Sequence, residues 1–400
     1  MKAIAGSLAL LLALSAHAAP RTFALRVTDG KLAGPGADVI RAQLPNAQFV
    51  LFGEDHGFAD SPIVLRAIAR EARPLGFRYL VVEVGPLSAR MIGETLQKDG
   101  LGGVHKLVDE VPLGIPFLSL KDDAVLASDY LGKDANGMPF LWGVDQEFIG
   151  SPVFHLERLV AIAADKPARA AAQKLLAEER SAAAKAAQKD FLLVRFGDKD
   201  FDAFAAHFEG NAEAQRIIAQ LKESAAIYQL WMNGHNYENN ARRARLLARN
   251  FLAAFRSAGK AQPKVVFKMG IEHLSLGTTS INTIDLGTLV SEIARFHDKT
   301  ALRIAFLPTG GRNVSFQPKP GNPATVHDYK GEEAAAFFPA IGIDPAMLAK
   351  DSWTLVPLDP IRQSLDTKGI EALKPLARVI LLGYDYVITT PDATAGVSLY

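Results

Sequence analysis

The chain of 400 residues has nearly balanced charge, with 44 Lys and Arg against 43 Asp and Glu, and it contains no cysteine. The lack of cysteine excludes disulfides, thiol nucleophiles and thiolate metal sites. Balanced charge gives no whole-molecule attraction for nucleic acid or for an anionic membrane, so neither is an expected partner. With 49% hydrophobic residues, the chain is long enough to bury one large core, or a core plus a helical insertion.

The N-terminus has the pattern of a secretory signal peptide. Lys2 precedes an apolar run at 4–14, and the sequence AHA at 16–18 matches an A-x-A cleavage signal. The apolar run is too short to remain as a membrane anchor. We therefore expect a signal peptide over residues 1–18, cleaved after Ala18. The mature protein should then be periplasmic or secreted, without membrane attachment.

Short apolar runs separated by longer helical patterns predict an α/β fold. These runs are apolar throughout rather than alternating, as in strands buried on both faces of a mostly parallel sheet. Their alternation with helical patterns indicates a central sheet flanked by helices. The predicted strands cover residues 47–53, 78–84, 139–144, 264–269, 302–307 and 378–382.

Two segments depart from this alternation. Residues 153–235 include an alanine-rich stretch and no strand-like run, which predicts a helical insertion within a single domain over residues 19–400. We expect this insertion to cover one end of the sheet. Residues 310–330 are rich in Pro, Gly and Asn, which predicts a long loop, and such loops often act as lids.

Polar residues follow four of the predicted strands, and ligands bind at this end of a parallel sheet. Because the carboxyl ends of parallel strands lie at one edge, we expect these residues to meet, although they are far apart in sequence. They are Glu54, Asp55 and His56 after the first strand, Glu83 at the end of the second, Asp145, Gln146 and Glu147 after the third, and Glu272 and His273 after the fourth.

Two of these strand ends share the spacing G-x-x-H, at 53–56 and 270–273. Glycine permits a tight turn after the strand, and the histidine then points back over the edge of the sheet. Such a histidine can act as a general base towards water or bind a metal ion. The plainer alternatives are a helix-capping turn for His56 and a core histidine for His273. Asp55 is also explained as a charge at a helix N-terminus.

Glu83 ends an apolar strand, where an unpaired ionised group would be very costly. It therefore needs a partner, and the turn that contains His56 is the natural one. The alternative is a glutamate at a strand end that is exposed to water.

Residues 236–256 have the pattern of an amphipathic helix with one apolar stripe. Arg243 and Asn250 are seven residues apart and share one flank of that stripe. We expect Arg243 to face the carboxylates or an anionic transition state. Asn250 and Asp145 are the residues predicted to bind substrate.

Motifs of other catalytic classes are missing from the sequence. It has no G-x-S-x-G elbow, no H-E-x-x-H, no P-loop and no G-x-G-x-x-G. Water activated by His and Glu, with or without a metal ion, is the simpler mechanism.

Taken together, the motifs resemble the erythromycin esterase-like family, and the broader superfamily that unites it with Tiki/TraB-type proteases and haem-binding uptake lipoproteins. The resemblance covers about residues 45–280, and the C-terminal third matches only loosely. The matching segments are LFGEDHG at 51–57, LGFRYLVVE at 75–83, WGVDQ at 142–146, R-x-x-x-L-A-x-N at 243–250 and VVFKMG-x-x-H at 265–273.

The resemblance implies an α/β sheet with helical insertions, and a histidine-activated water that hydrolyses a lactone. It implies a general base, an orienting or proton-shuttling partner and a second histidine, which are His56, Glu83 and His273 respectively. Glu54 and Arg243 would line the cleft.

One departure bears on the substrate. The esterases usually have two residues between the glutamate and the histidine of the first motif, whereas only Asp55 separates Glu54 from His56. This shorter form is closer to the Tiki-like and haem-uptake branches, so inactivation of an antibiotic is not implied.

The sequence thus predicts an exported hydrolase that acts on the ester, lactone or amide of a small molecule and requires no cofactor. Two alternatives remain open. One is a periplasmic haem-binding protein that uses the same histidines as ligands. The other is a metal-dependent peptidase, in which His56, Glu54, Glu83 and His273 would hold one divalent ion with an open water position.

Overall fold

The computed structural model describes residues 20–400 except Pro112, Lys260, Pro318 and Pro320. The predicted signal peptide at 1–18 lies outside the described residues. Among the helices that are described, none is both long and apolar enough to cross a membrane.

Eleven β-strands form within the described residues, and nine of them make one sheet. The strands are β1 (Phe23–Thr28), β2 (Lys31–Ala33), β3 (Ala47–Glu54), β4 (Phe77–Val82), β5 (Leu141–Gly143), β6 (Lys264–Gly270), β7 (Thr300–Phe306), β8 (Gly311–Phe316), β9 (Ala324–Tyr329), β10 (Trp353–Pro357) and β11 (Tyr386–Thr389). The order across the sheet is β2-β1-β10-β11-β7-β3-β6-β4-β5, and β8 pairs with β9 in a separate hairpin.

The six neighbouring strands from β11 to β5 in that order run parallel. β2, β1 and β10 add antiparallel pairings at one side. Every residue of the central strand β3 is buried, which requires the uninterrupted apolar sequence that residues 49–52 provide. The predicted α/β fold with a mostly parallel sheet is therefore confirmed.

Helices pack on both faces of the sheet, and alternate residues of β3 point into two separate apolar cores. The described α-helices are α1 (Pro35–Gln43), α2 (Asp60–Ala72), α3 (Pro86–Glu110), α4 (Lys121–Ser128), α5 (Pro152–Ile162), α6 (Lys166–Lys185), α7 (Leu192–Arg195), α8 (Asp198–Ala206), α9 (Ala212–Met232), α10 (Asn236–Ser257), α11 (Ile271–Leu274), α12 (Leu286–Phe296), α13 (Glu332–Ala340), α14 (Asp359–Ser364), α15 (Thr367–Glu371) and α16 (Pro375–Gly383).

The predicted helical segment 153–235 contains α5 to α9 and no strand, all within described residues. These helices build a third apolar core around residues such as Leu156, Phe201 and Ile218. The segment therefore has a core of its own beside the sheet, and its predicted helical character is confirmed.

The predicted strand at 378–382 is wrong, because these residues lie in α16. Pro375 begins that helix, and the buried residues Ala377, Ile380 and Leu381 follow a helical spacing while Leu382 is exposed. A short apolar run does not distinguish a buried strand from a buried helix. The last strand of the sheet, β11, comes directly afterwards.

The predicted long loop at 310–330 is also corrected. Most of this segment is the antiparallel hairpin of β8 and β9, paired from Gly311 with Tyr329 to Phe316 with Ala324. Gly321 and Pro323 fall in the connection between the two strands, which accounts for the loop-like composition.

Candidate active site

The carboxyl ends of the parallel strands bring the predicted polar residues to one cavity of about 750 Å³. Glu54 is the last residue of β3, Glu83 directly follows β4, and α11 follows β6. The predicted site residues that line this cavity are Glu54, His56, Glu83, Arg243 and His273. The convergence predicted from strand order therefore occurs.

His56 has a carboxylate beside each ring nitrogen. Its Nδ1 lies 2.9 Å from Glu54 Oε1, and its Nε2 lies 3.6 Å from Glu83 Oε2. The ring stacks on Phe117 with 4.4 Å between ring centroids. The hydrogen bond to Glu54 assigns the proton of the neutral ring to Nδ1, so Nε2 is free to accept a proton from the cavity.

The carboxylates also set the basicity of His56. Burial alone would lower its pKa, but the charge of Glu83 and the hydrogen bond to Glu54 outweigh burial and raise the pKa above its ordinary value of 6.5. The ring is thus a stronger base than a free histidine, and its neutral form is favoured only at higher pH.

Glu54 is held by a buried lysine that the sequence analysis did not select. Lys268 Nζ lies 2.5 Å from Glu54 Oε1 and 2.6 Å from Asp123 Oδ1, and the Ser61 hydroxyl donates to Glu54 Oε2. Burial would raise the pKa of Glu54, but Lys268 and His56 together lower it to about 2. Glu54 is therefore a permanent carboxylate that fixes the orientation of the His56 ring.

Glu83 joins the two histidines and the arginine. Its Oε1 accepts a hydrogen bond from Arg243 Nη2 at 2.7 Å and lies 3.4 Å from His273 Nε2. Its Oε2 accepts from the amide of Gly270 at 2.6 Å. Burial would raise the pKa of Glu83, yet the charges of His273 and His56 hold it well below its ordinary value. The buried carboxylate of Glu83 is thus paired with a set of cationic groups and not with His56 alone.

His273 is more deeply buried than His56. Its side chain is only 10% exposed, against 34% for His56, and its Nδ1 lies 2.8 Å from Asp285 Oδ2. Burial would lower its pKa, but the charge of Asp285 outweighs burial and raises the pKa to about 10. At neutral pH His273 is an imidazolium, so it supplies positive charge and does not act as a base.

Arg243 lies on α10 and is held by two carboxylates. Its Nε and Nη2 donate to the two oxygens of Asp145 at 2.9 and 2.5 Å, and Nη2 also donates to Glu83. The expected contact of Arg243 with the carboxylates is found. Asp145 is buried behind Arg243 and does not line the cavity, so it positions the guanidinium and is misplaced as a substrate-binding residue.

Asn250, the other residue predicted to bind substrate, lies outside the cavity. Its amide nitrogen donates to the carbonyl of Val144 at 2.9 Å, and it lines a separate pocket on the far side of β5. Seven residues of helix place it about 10 Å along the axis from Arg243, which carries it past the site. The substrate-binding role predicted for Asn250 is therefore wrong.

The two strand-end glycines are required for space. A Cβ atom on Gly270 would lie 3.1 Å from His56 Nε2 and 3.5 Å from Glu83 Oε2, although its φ of −57° suits any residue. A Cβ atom on Gly53 would lie 2.1 Å from the Tyr384 hydroxyl. The shared G-x-x-H spacing thus reflects close packing behind the site.

Asp55 connects the site to the β8–β9 hairpin. Its Oδ2 accepts a hydrogen bond from the Tyr329 hydroxyl at 2.5 Å, and the carbonyl of Gly57 accepts from the amide of Val314 at 2.9 Å. The segment predicted as a lid is therefore hydrogen-bonded to the turn that holds His56.

Glu147 has a structural role behind the site. It is fully buried and accepts hydrogen bonds from His155 Nε2 at 2.9 Å, Ser88 Oγ at 2.5 Å and the amide of Leu87 at 2.9 Å. These contacts fix the start of α3 against the segment after β5. Glu147 does not line the cavity.

Aromatic and polar side chains line the cavity beside the ionised groups. Tyr228 lies on α9 and Gln146 follows β5. Phe117, Phe148 and Trp231 also line the cavity. Apolar walls with a few polar groups are typical of small-molecule sites.

The residues proposed for a divalent ion do not fit one. Among the described residues, no group of three or more His, Asp or Glu side chains is arranged as a metal site. Glu54 is paired with Lys268 and Glu83 with Arg243. The raised pKa of His273 also disfavours the neutral ring that a metal ligand requires.

The site carries an excess of negative charge. Its ion-pair network holds five carboxylates and three groups that are cationic at neutral pH, which leaves two negative charges unbalanced when His56 is neutral. The carboxylates are those of Glu54, Glu83, Asp123, Asp145 and Asp285, and the cations are Arg243, Lys268 and His273. This charge favours the protonated form of His56 and opposes anionic ligands.

The whole chain is similar in fold to solved proteins of low sequence identity. An erythromycin esterase mutant in its open conformation matches with a TM-score of 0.62 and 14% identity, over 94% of this chain and 98% of that chain. A succinoglycan biosynthesis protein matches with a TM-score of 0.55 and 12% identity, over 92% and 93% of the two chains. A protein from Bacillus cereus also gives a TM-score of 0.55 and 12% identity, over 95% and 96%.

Comparisons of sequence give no match: no family model matches the chain, and no curated protein matches it. The similarity therefore rests on the structure. The chain has a fold similar to that of erythromycin esterase.

Proposed function

We propose that the protein is a hydrolase in which His56 activates a water molecule for attack on the carbonyl carbon of a small-molecule ester, lactone or amide. The observation that carries this proposal is the pair of carboxylates on His56. Glu54 fixes the ring through Nδ1, and Nε2 is left facing the cavity beside Glu83. The hydrolase-like fold supports it.

In the proposed step, His56 Nε2 takes a proton from water as the water oxygen bonds to the carbonyl carbon. The imidazolium that forms lies between Glu54 and Glu83, which stabilise its charge. The proton then passes to the leaving alcohol or amine as its bond to the carbonyl carbon breaks. His56 is neutral again at the end of the cycle.

Arg243 and His273 supply the positive charge for the carbonyl oxygen. Both contact the Oε1 oxygen of Glu83, whereas His56 faces Oε2, and both line the cavity. Cations that are already fixed in place stabilise the oxyanion of a tetrahedral intermediate without reorganising.

We also propose that the protein is exported to a periplasm or secreted. The support is the signal-peptide pattern of residues 1–18, together with the lack of cysteine in the whole chain.

The substitution His56→Ala tests the proposed function on a panel of uncharged esters, lactones and amides. Loss of the general base should lower kcat/KM by about 10³-fold for any substrate that the unmodified protein hydrolyses. Circular dichroism and thermal unfolding should remain unchanged, because the side chain is 34% exposed.

The matched control is His207→Ala, since His207 is an exposed histidine on the helical segment, far along the chain from the site. It should keep full activity. Full activity in His56→Ala would contradict the proposed mechanism.

A further inference from the structure

A second cavity opens beside His56. It has a volume of about 390 Å³ and shares His56, Phe117, Phe148, Tyr228 and Trp231 with the main cavity. We call it the side pocket. Because the two spaces have these walls in common, a molecule with its carbonyl at His56 can extend a substituent into the side pocket.

The side pocket is mainly apolar. Side chains from the segments before α4 and before α5, from α7 and α9 and from the β8–β9 hairpin form its walls, and they are Leu113, Ile149, Val194, Met232, Val314 and Phe316. The charged groups at its inner end, Glu54 and Asp123, are both paired with Lys268. An apolar group placed here therefore leaves no ionised group without a partner.

The side pocket sets limits on the size and charge of its ligand. A cavity of about 150 Å³ lined by apolar side chains holds one benzene molecule, so this larger space holds a chain of roughly eight to twelve carbons. The excess negative charge of the neighbouring site opposes a ligand with a carboxylate.

We propose that the side pocket binds an apolar chain of the substrate, and that the substrate is uncharged. The position of the reacting carbonyl at His56 rests on the proposed function, whereas binding of the chain does not. Val194 is then a specificity-determining residue, because its partly exposed side chain lines the side pocket and not the main cavity.

The test measures binding of unbranched 1-alkanols of four to about fourteen carbons by isothermal titration, without turnover; the series extends beyond the roughly twelve carbons that the side pocket can hold. Each methylene that enters the side pocket should lower Kd roughly fourfold. The decrease in Kd should stop once the chain fills the side pocket. A Kd that keeps falling to the longest alkanol, or that does not depend on chain length, would overturn the proposal.

The variant Val194→Phe occupies part of the side pocket and should shorten the longest chain that still gains affinity by roughly three carbons, the difference in side-chain length. The matched control is Val160→Phe, which adds the same volume against the same helical core without lining either cavity. The control should leave the dependence of Kd on chain length unchanged. The same dependence in Val194→Phe and in the unmodified protein would also overturn the proposal.

Failure of this proposal is distinguishable from failure of the proposed function. A chain-length limit that Val194→Phe shortens, combined with full activity in His56→Ala, would retain the side pocket and reject the mechanism. Loss of activity in His56→Ala, combined with no chain-length limit, would retain the mechanism and reject the side pocket.

Discussion

His56 and His273 each place Nδ1 against a carboxylate, but they differ in burial. His273 is buried beside Asp285 and has a pKa of about 10. His56 opens to the cavity, and the charge of Glu83 and the hydrogen bond to Glu54 raise its pKa above 6.5. In the proposed mechanism His273 is the cation and His56 the base, two roles that hydrolysis needs at the same pH.

The pH dependence of activity follows from the raised pKa of His56. The neutral ring is the active form, so kcat/KM should increase with pH through a pKa above 6.5. Glu83→Gln removes the largest charge that raises this pKa and should move the increase to lower pH, whatever its effect on the maximal rate. The measurement is log kcat/KM between pH 5 and pH 9. If kcat/KM increases at the same pH in Glu83→Gln and in the unmodified protein, the increase reports the titration of a group other than His56.

At the level of strands, the turn after β6 brings backbone into the centre of the site. Gly270→Ala introduces a Cβ atom 3.1 Å from His56 Nε2 and should displace the ring, lowering kcat/KM roughly a hundredfold. Folding should be little affected, because the backbone conformation there suits alanine. Steady-state kinetics and thermal unfolding separate the two effects.

The control for that variant is Gly93→Ala in α3, where a new Cβ atom meets nothing within 4 Å. It should leave kinetics unchanged and stabilise the helix by about 0.5 to 1 kcal/mol. Unchanged kinetics in Gly270→Ala would show that the ring position tolerates the added atom.

The central strands were predictable because each is mainly apolar, as burial on both faces requires. The strands β1 and β2 are short and partly exposed, so their sequences carry no such signal. Residues 378–382 were predicted as a strand because their apolar run is long enough for one, but they belong to a buried helix. Length and apolarity alone do not settle that choice.

The site was predictable where its residues follow strands. Lys268 was missed, although a lysine inside the apolar run of β6 was itself a signal, since a buried ammonium group needs carboxylate partners. Asp285 is the N-cap of α12. Because capping alone accounts for an aspartate at that position, the sequence pattern did not indicate its contact with His273. The prediction for Asn250 failed because two residues on the same flank of a helix can lie at different distances from the site.

For the whole molecule, the raised pKa of His273 links stability to pH. A pKa of about 10 in the folded protein, above 6.5 in the unfolded chain, stabilises the fold fully below pH 6.5. This stabilisation is lost as pH rises towards 10. The free energy of unfolding should therefore fall by roughly 2 to 4 kcal/mol from this group between pH 7 and pH 10.

Asp285→Asn removes the main cause of that raised pKa, so its stability should fall less steeply over the same range. Urea unfolding at pH 7, 8, 9 and 10 measures both slopes. The comparison between slopes cancels other groups that titrate at high pH. Parallel slopes in the two proteins would show that His273 is not the linked group.

The surplus of negative charge around His56 also bears on how a catalytic cycle ends. Cleavage of an uncharged ester or lactone converts a neutral carbonyl into a carboxylate, at the place where two negative charges are already unbalanced. The acid fragment is repelled from the moment it ionises, while the uncharged starting compound is not. In the proposed reaction, repulsion by these carboxylates, among them Glu54 and Glu83, favours release of the acid, so the acid should accumulate in solution without occupying the site.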